Sequence, residues 1–146
     1  MTRVEHVAIW TTSEARLERL RAFYTAHFGA SAHAPTPYRS ARRAGFASYF
    51  LTLPGGGARL ELMTLPDEAG VAAADVGAAG PGASRALAAG WAHVALALGS
   101  REAVDECVAR LAAAGVPVLA APRVTGDGYY EALVQDPDGN EVELVA

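Results

Sequence analysis

The chain has 146 residues, of which 51% are apolar and 19% charged, with a formal net charge of −4. That length suits one domain or two small fused modules, and the acidic balance argues against a nucleic-acid surface. No run approaches about 18 apolar residues, as a membrane helix would need, and the single cysteine, Cys107, excludes an internal disulfide and suits a reducing cytoplasm.

Val4 to Trp10 alternates in a way that predicts a strand. Thr12 and Ser13 are N-cap candidates for a helix in which Leu17, Leu20, Tyr24 and Phe28 recur at helical spacing. Gly29 supplies its stop. Residues 30–44 carry Pro35, Pro37 and the cluster Arg39, Arg42 and Arg43, and read as a weak edge strand and a solvated loop. "GFASYFLTL" has strand composition, and "PGGG" is a turn. "ARLELMT" alternates, with Leu60 and Leu62 on one face and Arg59, Glu61 and Met63 on the other. From Pro66 to Gly90 the β-formers vanish. This stretch is the expected linker, 66–90, with a helical turn over 84–89. It separates modules at 1–65 and 91–146 of a single domain, 1–146.

The second half then repeats the first. "WAHVALAL" is a strand, and Ser100 caps a helix that ends at Gly115 with Pro117 beyond. In that helix Cys107 joins Val104, Val108 and Leu111 on the core side. "PVLAAPR" is a short strand, "TGDG" a turn, "YYEALVQ" a strand, "DPDG" a tight turn and "NEVELVA" the last strand. The tripeptide His-Val-Ala occurs at His6 and again at His93, and aligning the two lays helix on helix and "RLEL" near "EVEL". The fold class predicted is α+β, an internal duplication of a βαβββ unit.

Each unit places one histidine on its first strand and one glutamate on its last. If Val7, Ile9, Val94 and Leu96 pack under the helices, His6 and His93 face away from them. By the same alternation Leu60, Leu62, Val142 and Leu144 leave Glu61 and Glu143 on that opposite face, the concave side of a curved sheet. A single strand histidine is more often a satisfied core or surface residue, and a single strand glutamate is usually solvated. Recurrence of both types at matching places makes them candidate ligands for a divalent metal with open water positions.

The pieces "EHVAIWT", "FYTAHFGA", "SYFLTL", "ARLELM", "AHVALAL" and "TGDGYYEALVQDPDGNEVEL" resemble the vicinal oxygen chelate superfamily, and within it glyoxalase I-like proteins, over nearly the whole chain. "DPDGN" followed by a strand ending in "EL" is the most specific of them. The resemblance implies paired βαβββ modules whose curved sheets form half-barrels around one divalent metal, Zn, Ni, Co, Mn or Fe. It implies His6, Glu61, His93 and Glu143 as ligands, within one chain or across a homodimer. Ring-cleaving dioxygenases and fosfomycin-modifying enzymes of this superfamily use three ligands. Glu61 as a fourth resembles glyoxalase I and the acyl-CoA epimerases instead, where the metal is a Lewis acid and a carboxylate moves a proton beside a carbonyl. On that resemblance Glu143 is the base and Glu61 its partner, with Glu141 at the rim.

Two positions depart from the glutathione-using pattern. Trp10 stands where an arginine is typical, and Leu65 where an asparagine is. The expected substrate is therefore a smaller or more apolar molecule with vicinal oxygens, not glutathione. Trp10, Arg59, Arg123, Tyr129 and Tyr130 are the substrate-binding candidates. Each has a bland counterpart: Trp10 as packing, Arg59 as a partner of Glu61, Arg123 as a strand-end charge beside packing tyrosines. The alternation does not choose between the two tyrosines, because a bulge would shift the register. The other readings are a non-catalytic drug-binding protein of the bleomycin-resistance kind and, disfavoured by Glu61, an extradiol-type dioxygenase. No nucleic-acid or membrane partner is expected.

Overall fold

Apolar residues at period two become strands in the computed structural model, which describes residues 3–65, 91–126 and 128–146. The chain divides into two units, Met1–Ala74 and Asp75–Ala146. The expected linker and its helical turn at 84–89 lie outside the described residues.

The first unit runs β1 (His6–Thr11), α1 (Glu14–Phe28), β2 (Ser31–Ala32), β3 (Tyr38–Arg39), β4 (Ala47–Thr52) and β5 (Arg59–Thr64). Ser13 caps α1, its side chain accepting from the Arg16 N–H, and Gly29 closes it at φ 65°, a left-handed conformation that glycine adopts without strain. The sheet order is β1-β5-β4-β2, with β3 also on β4 and β1 parallel to β5. Leu17, Leu20, Phe23 and Tyr24 of α1 are buried, as are Tyr49, Leu51, Leu60 and Leu62 of the sheet. Each fully buried leucine contributes about 2 kcal/mol of apolar transfer. Phe28, expected on that stripe, is only half-buried, and Phe23 is buried beside it. The weak edge strand expected over 30–44 is two dipeptide strands, with Pro35 and Pro37 in the interval, where missing N–H groups prevent a continuous ladder.

The second unit runs β6 (His93–Ala97), α2 (Arg101–Ala113), β7 (Val118–Val124), β8 (Tyr130–Gln135) and β9 (Glu141–Val145). Its order, β6-β9-β8-β7 with β6 parallel to β9, repeats that of the first. Ser100 caps α2 by accepting from the Ala103 N–H. Val104, Cys107, Val108 and Leu111 are buried on α2, and Ala132, Val134, Val142 and Leu144 on the sheet. Burial pushes the Cys107 thiol up, which keeps it unreactive in the core. β7 carries Pro122 and two register shifts, features that an edge strand tolerates. Among the described residues, no helix is long and apolar enough to cross a membrane.

Candidate functional site

The two parallel strand pairs share one register. His6 stands opposite Arg59 and Ala8 opposite Glu61. His93 stands opposite Glu141 and Ala95 opposite Glu143. In both units the glutamate faces an alanine, and the histidine lies two residues before that alanine. Alternate side chains share a face, so histidine, alanine and glutamate lie together on the face away from the buried leucines. The small alanine leaves the carboxylate room to lean diagonally toward the imidazole. His6 Nε2 is 3.6 Å from Glu61 Oε2, and His93 Nε2 is 3.4 Å from Glu143 Oε2. The carboxylates keep only 14% and 19% of their side-chain surface exposed, against 39% for each imidazole.

A divalent cation about 2.0–2.2 Å from a nitrogen and an oxygen holds them about 3 Å apart. Each pair is within a small side-chain adjustment of that spacing, so the donor types and their separation fit a metal. Among the described residues no group of three or more histidine, cysteine, aspartate or glutamate side chains is arranged to hold a metal ion. Each unit thus brings together two of the four candidate ligands.

Around His6 the first unit adds residues that alternation misses. Glu5 Oε2 is 2.5 Å from His6 Nδ1. Arg59 donates from Nη2 to Glu5 Oε1, and its guanidinium lies over the Phe50 ring at 4.3 Å. Phe50 in turn meets the His6 ring edge-on at 5.3 Å. The ion pair that Arg59 forms is therefore with Glu5, and the expected alternative of a pair with Glu61 is not the one formed. The hydrogen bond from His6 is the largest effect and holds the Glu5 carboxyl below its ordinary value; burial opposes it, and the bond from Arg59 adds to the lowering. Strict alternation would send Glu5 to the opposite face from His6. It escapes that rule because β1 begins at His6.

Trp10 shares the face of His6 and is 43% exposed. Its ring meets Phe46 edge-on at 6.1 Å, Phe46 meets Tyr38 at 6.4 Å, and the Arg43 guanidinium lies 5.9 Å over Trp10. Arg39, at the end of β3, is pinned to α1 by a two-pronged bond to Glu14 at 2.6 and 2.9 Å. Leu65 is buried. Ser48, opposite Met63 on this face, buries a hydroxyl that has no hydrogen-bond partner among the described residues.

In the second unit the β8–β9 register is regular, with Leu133 opposite Glu143 and Glu131 opposite Val145. Glu131 therefore shares the face of Glu143, and it accepts from Arg123 Nη2 at 3.2 Å. Arg123 already has this partner on the candidate face. Glu131 gave no signal of its own in the sequence. Tyr130 falls on the other face: its hydroxyl donates to Asp105 Oδ1 of α2 at 2.6 Å, and Arg101 lies 5.1 Å over its ring. Of the two tyrosines between which the sequence does not choose, Tyr130 is thus the one on the helix side, since odd-numbered residues of β8 face with Glu143 and even-numbered ones with the helix. Tyr129, just ahead of β8, is exposed, as is Trp91 ahead of β6. Glu141 is half-buried opposite His93.

The turn into β9 is built by Asp136. Its Oδ1 accepts from the N–H groups of Asp138 and Asn140, both at 2.9 Å, and Asn140 Nδ2 reaches Oδ2 at 2.9 Å. Gly139 completes the turn at φ 82°. The motif "DPDGN" is thereby the device that starts the strand carrying Glu143.

Residues 3–144 match the family described as the glyoxalase/bleomycin resistance protein/dioxygenase superfamily. None of the curated proteins matches the sequence. Among solved structures, a glyoxylase/bleomycin resistance protein/dioxygenase domain from Frankia sp. EAN1pec is similar at TM-score 0.73 and 19% identity, covering 99% of this chain and 91% of that one. The trypanothione-dependent glyoxalase I of Leishmania major is similar at TM-score 0.66 and 23% identity, with 99% and 86% covered. A mutant of the fosfomycin resistance protein FosX from Listeria monocytogenes, complexed with Mn(II) and a dihydroxypropylphosphonic acid, is similar at TM-score 0.64 and 18% identity, with 100% and 93% covered. At such identities the likeness is one of fold.

Proposed function

The chain belongs to the glyoxalase/bleomycin resistance protein/dioxygenase superfamily, and from that premise we propose that it is a metal-dependent lyase or isomerase of the glyoxalase I type. It moves a proton next to a carbonyl on a small substrate with vicinal oxygens. The observation that carries this reading is the repeated pair, His6 with Glu61 and His93 with Glu143, set in the same register on the same kind of face. The four residues together are the ligand set for one divalent cation, Zn, Ni, Co, Mn or Fe, in a cytoplasmic homodimer.

Such a cation supplies a Lewis acid toward the substrate oxygens. The chain's own residues do the rest. Glu143 takes the proton from the carbon and returns it, and Glu61 is its partner. Both are part-shielded carboxylates, which strengthens their interaction with a proton in flight. Trp10 and Phe46 offer an apolar wall, and Arg123, Arg59 and Tyr129 are the polar substrate contacts. With Trp10 and the buried Leu65 in place of polar anchors, glutathione is not the substrate.

Metal analysis of untagged protein tests the reading. About one divalent ion per site, with thermal stabilisation by added Zn²⁺, Ni²⁺ or Co²⁺, is expected. Less than about 0.1 per chain without stabilisation removes it. Glu143→Gln should stay folded and lose both tight metal binding and solvent-deuterium exchange into α-hydroxy carbonyl compounds. Formation of lactoylglutathione at ordinary enzymatic efficiency would overturn the substrate assignment. The exposed rings of Trp10 and Tyr38 favour a second reading, a non-catalytic binder of small molecules, which the metal analysis also decides.

A further inference from the structure

We infer that Glu5 is a positioning residue for His6, holding the imidazole with its proton on Nδ1 and its Nε2 lone pair bare beside Glu61. The consequence for metal binding rests on the function proposed above; the statement about the imidazole does not.

Four contacts close a ring of side chains. Glu5 meets His6 Nδ1 at 2.5 Å, and Arg59 donates to the other oxygen of Glu5. The Arg59 guanidinium lies 4.3 Å over Phe50, and Phe50 meets the His6 ring edge-on at 5.3 Å. The backbone locks the same corner, since the Arg59 N–H donates to the Glu5 carbonyl at 2.9 Å. The imidazole cannot turn over without breaking the bond to Glu5 and leaving the edge of Phe50.

An ionised carboxylate only accepts hydrogen bonds, so Nδ1 must be the donor. A neutral imidazole in water carries its proton mainly on Nε2. That tautomer would aim a hydrogen toward Glu61 and present no lone pair to a cation. A carboxylate on the far nitrogen reverses the choice and fixes the ring plane, as outer carboxylates do at metal-ligating histidines. Arg59 holds the Glu5 carboxylate in place from its other oxygen. The device has no counterpart at the matching position of the second unit, where Ala92, without an acceptor side chain, precedes His93. The two histidines are therefore inequivalent despite their matching registers.

The test is ¹⁵N–¹H correlation of the imidazole rings in the metal-free chain at a pH of about 8.5, above the usual imidazole range. His6 should show the Nδ1–H pattern in the unaltered chain and move toward Nε2–H in Glu5→Ala. In Glu5→Gln, whose amide oxygen still accepts, it should keep Nδ1–H. His93 should be the same in all three. Glu5 is exposed and ahead of β1, so its truncation leaves the core intact. Zn²⁺ affinity, read by competition with a chromophoric chelator, should fall about 10- to 100-fold in Glu5→Ala. An Nε2–H pattern in the unaltered chain, or one unmoved by Glu5→Ala, overturns the inference. A chain that binds no Zn²⁺ but shows the Glu5-dependent tautomer would keep it and overturn the metal reading alone.

Discussion

His93 and Glu143 meet diagonally, Nε2 to Oε2 at 3.4 Å, because the residue directly opposite Glu143 is Ala95. The same geometry recurs where Ala8 faces Glu61 beside His6. The repeated tripeptide His-Val-Ala thus has a part for each residue. In the proposed site histidine is the nitrogen donor; valine points to the helix side, and alanine is the gap into which the glutamate leans.

Filling that gap should disarm the site without harming the fold. Ala95 is exposed, so Ala95→Leu meets no core, but it crowds the carboxylate of Glu143. We expect an unchanged melting point and metal affinity lowered about tenfold or more, the scale on which disturbed ligand orientation acts. Isothermal titration with Zn²⁺ checks this, and unchanged affinity would mean the alanine has no such role.

A second prediction concerns pH and lies on the helix side. Tyr49 donates to Glu18 Oε1 at 2.6 Å, and Arg21 Nε donates to Oε2 at 2.8 Å. Burial pushes the Glu18 carboxyl up, but these hydrogen bonds outweigh it and hold it below 4.5. A carboxyl lowered in the fold contributes stability above its unfolded value and loses it as the pH falls through the folded one. Burial, then the bond to Glu18, pushes Tyr49 up from 10.0 to about 12. That contribution is complete below 10.0 and fades as the pH rises toward about 12. Tyr49→Phe should cost about 1 kcal/mol at neutral pH, solvent at Glu18 reducing the worth of a charged hydrogen bond. It should also flatten both limbs of the stability profile. Urea unfolding across the pH range measures this, and identical limbs in both proteins would contradict it.

The third prediction tests the turn. Asp136→Ala removes the acceptor for the N–H groups of Asp138 and Asn140, in a side chain only 3% exposed. The two orphaned backbone donors alone cost about 2–3 kcal/mol, and the Asn140 side-chain amide loses its partner too. Because β9 starts there, metal affinity should fall together with the melting temperature, whereas Ala95→Leu should separate the two. Calorimetry with and without metal distinguishes the patterns, and a melting temperature equal to that of the unaltered chain would show that Asp136 does not hold the turn.

Much of the fold was legible because its signals are local. Ser13 and Ser100 cap the helices where the pattern predicts, and Gly29 ends α1. Leu60 and Leu62, with Val142 and Leu144, are buried as alternation requires, which puts Glu61 and Glu143 on the other face. Less legible were Phe23, buried where Phe28 was expected, and the split of the second strand into two around the prolines. Both depend on how the chain leaves α1 and reaches β4.

The sequence by itself determined the duplication, the helix ends and the faces on which His6, Glu61, His93 and Glu143 stand. These follow from spacings of two and 3.6 residues, which any stretch carries within itself. Only the tertiary structure decided that each histidine is diagonal to its glutamate, that Arg59 goes to Glu5, that Glu131 joins Arg123, and that Tyr130 turns to Asp105. Those relations join residues that are not neighbours in the chain, one pair only 8 residues apart and the others farther. They are set by ladder register, which the packing of buried side chains against the helices selects.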